Sequence, residues 1–324
     1  MRLIHSLIAA AMFASMALHT HNAFSQEKFP SKAMRLIVPF AAGGGNDAVA
    51  RLLAENMSKR LGQPIVVENR TGAGGNIGTD FVAKAPADGY TLVHVANTVV
   101  VNPFLYKTLP FDVQSDLAPV GLIATAPLWV LANPTSNINS LAALAAQIKG
   151  GSKQLSYATP GTGTPHHFAM ELFTSRLGGQ LMHVPYKGAG PALTDVLGGH
   201  VPLLVSTPQS VNDMVKSGRL NLLATMEAKR SEVQREVPSA AELLSGFEVS
   251  IWHGLMAPSK TPPQVMSFLS DVLAQSLADP QLQKKLQAIG FSAQFESASV
   301  MKSRIETDLK TWKQVAKNAG IVPE

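Results

Sequence analysis

Two segments carry the residues best suited to chemistry. Pro39-Phe-Ala-Ala-Gly-Gly-Gly-Asn-Asp47 and Ala158-Thr-Pro-Gly-Thr-Gly-Thr-Pro-His-His167 are both glycine-rich, and both run from a strand-like stretch into a helix-like one. Glycines let a backbone approach a bound molecule closely. Asn46 in the first loop and Thr164 in the second have side chains that cap helices, and Pro165 suits a first helical position. A helix N-terminus presents unpaired N–H groups and the positive end of the helix dipole, which favours a carboxylate or a phosphate. One such loop is a weak signal, because a tight turn closing a βα unit uses the same residues. Two of them, about 120 residues apart, say more: if the halves face each other, each loop holds one acidic end of a solute. Both follow strands, at the end of the sheet where open α/β folds bind ligands.

Other chemistries fail on spacing. Gly72-Ala-Gly-Gly-Asn-Ile-Gly78 is close to a dinucleotide fingerprint, but Ile77 stands where its third glycine belongs, and no Walker lysine follows any glycine loop. Those glycines suit a tight turn and helix packing. His166 and His167 are adjacent, so on a helix they point about 100° apart and chelate one metal poorly, and there is no HExxH. No G-x-S-x-G elbow marks a serine hydrolase. The expectation is a binding protein without cofactor, metal or catalytic residue.

The elements that would position the loops alternate. Strand-like runs at 34–39, 64–68, 90–95, 129–132, 155–158, 181–184, 201–205 and 220–225 are separated by helical patterns such as 46–61, 76–85, 165–177 and 190–197. In the first helix Val49, Leu52, Leu53, Met57 and Leu61 mark one apolar face. This alternation predicts an α/β protein with mainly parallel sheets. After a strand-like 249–257 the chain reads as helical, over 263–278, 280–288 and 298–319.

With 324 residues and 46% hydrophobic content, two globular domains are expected. The net charge of +5 is dispersed, without the basic stripe that nucleic-acid binding needs, and it favours anionic solutes weakly. The absence of cysteine excludes disulfides, thiolate metal sites and a lipid-anchored cysteine. Arg2, the apolar run from Leu3 to Leu18, and small residues at Ala23 and Ser25 read as a secretory signal peptide over residues 1–25, too short for a membrane span. The mature chain is expected to be periplasmic, free of the membrane and monomeric.

Several longer motifs resemble one family. Leu36-Ile-Val-Pro-Phe-Ala-Ala-Gly-Gly-Gly-Asn-Asp47, Val67-Glu-Asn-Arg-Thr-Gly-Ala-Gly-Gly-Asn-Ile-Gly78, Ala87-Asp-Gly-Tyr-Thr-Leu92 and Asn102-Pro-Phe-Leu-Tyr106 resemble the tripartite tricarboxylate transporter receptors, also called the Bordetella uptake gene (Bug) family. So do Tyr157-Ala-Thr-Pro-Gly-Thr-Gly-Thr-Pro-His-His167, Val184-Pro-Tyr-Lys-Gly188 and Gly198-Gly-His-Val201. The resemblance implies a two-domain periplasmic-binding-protein (Venus flytrap) fold, a ligand in the cleft, and delivery of that ligand to membrane transporter subunits. It implies chain crossings near Thr125 and Gly246, hence a first domain of residues 26–125 plus 247–324 and a second of 126–246. It also implies carboxylate binding, largely by backbone amides and bridging water, at Phe40, Ala41, Gly44 and Asp47 in the first loop and Thr162, Thr164 and His166 in the second. Asn97 and Thr98, after the third strand, lie at the same end of the sheet.

Each assignment has a plainer alternative: Phe40 as core, Asp47 as a first-turn charge, Trp252 as a buried hinge residue and not a lid over a planar ligand. One departure concerns specificity. Where many relatives carry acidic residues, after a Gly-Gly-x-Val stretch and near the end of the following strand, this chain has Pro202 and Ser206-Thr207. Hydroxyls in place of a carboxylate suit a second acidic or neutral end better than an ammonium. The expectation is therefore a dicarboxylate, aliphatic or aromatic (terephthalate-like). A secreted hydrolase and a sensor accessory that presents the ligand to a membrane kinase remain open at this point.

Overall fold

The computed structural model describes residues 29–151, 155–231 and 234–323. The expected signal segment falls outside them. Strand β1 (Met34–Val38) leads into α1 (Gly45–Leu61), β2 (Ile65–Asn69), α2 (Asn76–Ala83), β3 (Thr91–Ala96), the short α3 (Thr98–Val101) and the long β4 (Leu117–Pro127). The chain then builds a second sheet, with β5 (Trp129–Ala132), α4 (Leu141–Lys149), β6 (Ser156–Thr159), α5 (Pro165–Arg176), β7 (Met182–Pro185), α6 (Ala189–Leu197), β8 (Leu203–Ser206), α7 (Pro208–Lys216) and β9 (Asn221–Thr225). It returns through β10 (Ser250–Pro258), α8 (Pro263–Leu277), α9 (Pro280–Ala288), β11 (Ser292–Ser297) and α10 (Ala298–Asn318).

The first sheet has the order β11-β4-β10-β3-β1-β2 and the second β7-β6-β8-β5-β9. Both are mixed, which corrects the expectation of mainly parallel sheets. Strand β10 enters antiparallel between β3 and β4, and β5 is antiparallel to both β8 and β9. The physical reason is that alternating apolar patterns record which face of a strand is buried and say nothing of its direction. Two strands also stand outside the pattern reading. Strand β4 contains Pro119 and Pro127, which weaken a strand signal. The structure accommodates them at a register shift beside Met256 and at the strand's last residue. Strand β11 is polar and pairs on one side only, with its register broken between Ala293 and Glu296.

Helix α1 forms as its spacing predicts. Val49, Leu53, Met57 and Leu61 are buried on one face, and each large side chain so buried contributes about 1.5–3 kcal/mol relative to exposure. Gly62, at φ 69°, ends the helix with its N–H on the Ser58 carbonyl. Between the sheets, three chain segments lie side by side: the Met226 N–H bonds the Leu128 carbonyl at 2.8 Å, and the Val249 N–H bonds the Met226 carbonyl at 2.8 Å. Trp252 is 1% exposed at this junction and donates its indole N–H to Asp308 Oδ2 at 2.8 Å. Burial pushes the Asp308 carboxyl up to about 6. Trp252 is thus a buried core residue between the sheets and not a lid.

Candidate functional site

Each glycine-rich loop ends in a helix N-terminus at the C-terminal end of its sheet's strands. In the first, helix α1 begins at Gly45 with Gly44 as its cap residue, extended at φ −82° and ψ 171°, and no side chain caps it. Asn46 therefore lies inside the first turn and is not the cap. The backbone N–H groups of Gly44, Gly45, Asn46 and Asp47 have no hydrogen-bond partner among the described residues. Ala41 and Gly44 are exposed, and Phe40 is half-buried against the core beneath α1.

Asp47 is 4% exposed and its carboxylate is committed to the loop itself. Oδ2 accepts from Arg51 Nε and from the Gly43 N–H, each at 2.9 Å, and Oδ1 accepts from Asn69 Nδ2 at 2.9 Å. Asn69 Nδ2 also donates to the Phe40 carbonyl at 2.9 Å. The Arg51 guanidinium, helped by the Gly43 and Asn69 donors, holds the Asp47 carboxyl down at about 2. The acid fixes the loop's shape, and its charge is neutralised by Arg51 before any anion arrives.

The second loop is capped differently. Thr164 Oγ1 accepts from the His167 N–H at 3.4 Å and donates to the Gly161 carbonyl at 2.8 Å, with Pro165 at the first helical position as the sequence indicates. The Gly163 N–H is bound to His167 Nδ1 at 3.2 Å. What remains unpartnered is the N–H of Thr162 and that of His166. Thr162 is exposed, while Thr164 and His166 are half-buried. His166 Nδ1 has no partner among the described residues, and burial lowers the imidazole to about 4, so the ring is neutral at pH 7.

Behind this loop His167 stacks on His183, with centroids 3.8 Å apart and an 11° interplanar angle. His183 Nε2 lies 2.7 Å from Thr159 Oγ1. Burial, with the neighbouring His183, pushes His167 down to about 3, and burial pushes His183 to about 4. Behind the first loop a second buried pair, His94 and His253, meets ring nitrogen to ring nitrogen at 2.9 Å, and Phe291 packs edge-on against His253. Both are held neutral by burial, His94 at about 4. His94 and His253 come from chain segments 159 residues apart, and only the fold brings them together.

The remaining expected residues divide. Thr98 shares a crevice with Phe40, Gly74, Gly75 and Asn102. Asn97 is 1% exposed and donates to the Ser250 carbonyl at 3.3 Å, so it ties its loop to the returning strand β10. Ser206 is buried at the end of β8, whereas Thr207 is half-buried at the start of α7 with Oγ1 3.2 Å from Ser210 Oγ. The sequence reading missed the Gly74-Gly75 turn as a neighbour of the site. It is pinned by Asn102, whose Nδ2 donates to the Gly74 carbonyl at 3.1 Å and to Asn76 Oδ1 at 2.7 Å. It also missed Leu105: a Cβ on Gly163 would lie 2.3 Å from Leu105 Cδ1, so first-sheet and second-sheet segments touch at the second loop itself. The Asn102-to-Tyr106 motif was the available signal for both.

The arrangement offers two clusters of amide donors, neutral imidazoles and hydroxyls, and the one acid within the loops, Asp47, is paired with Arg51. Amide donors of this kind can accept an anion. Among the described residues no group of three or more His, Asp or Glu side chains is placed to hold a metal, and no helix is long and apolar enough to cross a membrane.

The sequence profile described as "Tripartite tricarboxylate transporter family receptor" matches residues 49–321. Protein BugT of Bordetella pertussis (strain Tohama I) is 35% identical over 299 residues, 91% of this chain and 92% of that one. Among solved structures, the periplasmic binding protein BugD superposes with a TM-score of 0.71 at 33% identity, covering 91% of this chain and 100% of that one. Rpa4515 of R. palustris, solved with adipate, gives 0.75 at 32% identity over 91% and 100%. MatC of Rhodopseudomonas palustris, solved with malate, gives 0.71 at 29% identity over 89% and 100%.

Proposed function

The chain belongs to the tripartite tricarboxylate transporter receptor family, periplasmic solute-binding proteins and not enzymes, and from that premise we propose that its cleft closes on a small dicarboxylate held at both ends by backbone amides. One carboxylate meets the Gly44–Asp47 amides with Phe40, Ala41 and Thr98 around them; the other meets the Thr162 and His166 amides, with Thr207 and water completing its shell. Asp47, Asn97, Thr164 and Ser206 act one layer behind, by shaping the loops. The observation that carries this reading is the pair of loop–helix junctions with unpartnered N–H groups: four in the first loop and two in the second.

Specificity for two acidic ends follows from charge. With Asp47 paired to Arg51 and hydroxyls at Ser206-Thr207 at the end of β8, neither position offers an unpaired carboxylate to an ammonium group. Ligands of two relatives, adipate and malate, are dicarboxylates. An aromatic diacid of the terephthalate type has the same two ends, and bridging waters adjust to its length at little cost. We divide the chain into lobes of residues 26–125 plus 247–324 and 126–246. Closure about the Leu128, Met226 and Val249 segments brings the loops together and desolvates the anion only once both amide sets engage it. The solute is then delivered to membrane transporter subunits.

The test is a thermal-shift screen of residues 26–324 against mono-, di- and tricarboxylates, aromatic acids and amino acids. A ligand that binds only the folded state raises the melting point by mass action. A rise with dicarboxylates, the acid being recovered unchanged, supports the reading. A rise with glutamate or aspartate and none with dicarboxylates overturns it.

A further inference from the structure

A cavity of about 630 Å³ is lined by none of the residues of the two glycine-rich loops. It is a groove between the segment 99–114 and helix α10, and it continues into a second cavity of about 220 Å³ that shares Val113, Gln114 and Glu306 with it. From Lys302 to Lys313 the groove follows α10 for about 17 Å at 1.5 Å per residue, room for about five extended residues of another chain. A small diacid does not fill such a length.

Its floor is apolar, with Phe111, Val113 and Ile305 buried and Phe104 and Leu309 half-buried. Its rim is basic. Lys107, Lys302, Lys310 and Lys313 are exposed and make no ion pair among the described residues. Two acids, Asp112 and Glu306, line it against the four lysines, so the groove keeps an excess of positive charge. Both walls also touch the second lobe. Leu105, beside Phe104, packs on Gly163 of the second loop. Trp312, beside Lys313, meets Phe168 of α5 edge-on with centroids 5.7 Å apart. In the division proposed above both walls belong to the first lobe, so closure carries the groove as one body against the second lobe.

We propose that this groove docks an acidic, amphipathic segment exposed by the transporter's membrane component. The proposal rests on the receptor reading above. The test uses proteoliposomes carrying the membrane subunits of a tripartite tricarboxylate-type transporter that takes up the receptor's solute, with protein-free vesicles as control. The full mature chain is compared with the double variant Lys310→Glu/Lys313→Glu, and with Lys107→Glu on the opposite wall. Expected is a rise of about tenfold or more in the receptor concentration that half-saturates uptake, with a weaker salt dependence, as charge reversal at an interface rim produces. Solute affinity, measured by titration without vesicles, stays within about twofold, since no substituted residue lies at the loops. Unchanged uptake in both variants overturns the proposal. So does a second equivalent of solute bound by the wild type and lost in the variants, which makes the groove a small-acid site, and so does equal binding to protein-free vesicles, which makes it a lipid contact. Absence of solute binding by the wild type counts against the receptor reading itself, and with it against this docking role.

Discussion

Replacing Gly45 by proline removes one amide N–H from the first loop and leaves the following helix able to form. Gly45 is the first residue of α1, a position whose N–H has no helical partner and where the fixed φ of proline is already suitable. Proline also restricts the residue before it to extended conformations, and Gly44 is already extended at φ −82° and ψ 171°. A Cβ at position 45 meets only the Phe291 ring at 3.5 Å, an ordinary contact. Folding should therefore be unaffected, or gain about 0.4–1 kcal/mol because the unfolded chain loses freedom. Binding should suffer. A hydrogen bond to a charged acceptor contributes roughly 1.5–3 kcal/mol, which converts to a loss of about 10- to 150-fold in affinity. Gly45→Ala adds the same Cβ and keeps the N–H, so it should bind within about threefold of the wild type. Titration calorimetry with the dicarboxylate that gives the largest thermal shift, alongside melting curves, reads both quantities. Wild-type affinity in a stable Gly45→Pro protein would refute the assignment of the first-loop amides as the carboxylate site. Equal losses in the proline and alanine variants would show that bulk, and not the missing donor, is responsible.

Three further outcomes follow from the same geometry. Thr164→Val removes the cap on α5 and the bond to the Gly161 carbonyl, so denaturant titration should show a loss of about 0.5–2 kcal/mol; a larger loss of affinity than of stability would show instead that the hydroxyl touches the solute. Acid should destabilise the protein through its buried imidazoles, because a ring held neutral in the fold but free to protonate near pH 6.5 when unfolded stabilises only above that pH. For His94, held at about 4, the loss develops as pH falls from about 6.5 and reaches about 3 kcal/mol by pH 4, with His166, His167 and His183 acting in the same direction; a melting temperature as high at pH 4.5 as at pH 7.5 would contradict it. Gly163→Ala places a Cβ 2.3 Å from Leu105 Cδ1 at a residue with φ +76°, and should cost about 1–3 kcal/mol; Leu105→Ala in the same chain should recover the steric part but not the backbone part, which paired melting curves resolve.

The local features of this protein were legible in its sequence. The two glycine-rich loops, the apolar face of α1 and the cap at Thr164 depend on residues within a few positions of one another, and short-range chemistry sets them. Even there the sequence misplaced the first cap: Asn46 has the better capping side chain, yet the helix starts one residue before it, because Asp47 is drawn to Gly43, Arg51 and Asn69 and fixes the turn. What only the tertiary structure decided depends on pairing between distant segments. Antiparallel insertion of β10 between β3 and β4 sets His253 against His94, residues 159 positions apart. The lobe contact of Leu105 with Gly163 and the groove along α10 arise the same way. An apolar pattern specifies that a face is buried, but which partner buries it is settled by the packing of the whole chain, and so the two loop–helix junctions were readable in order while their surroundings were not.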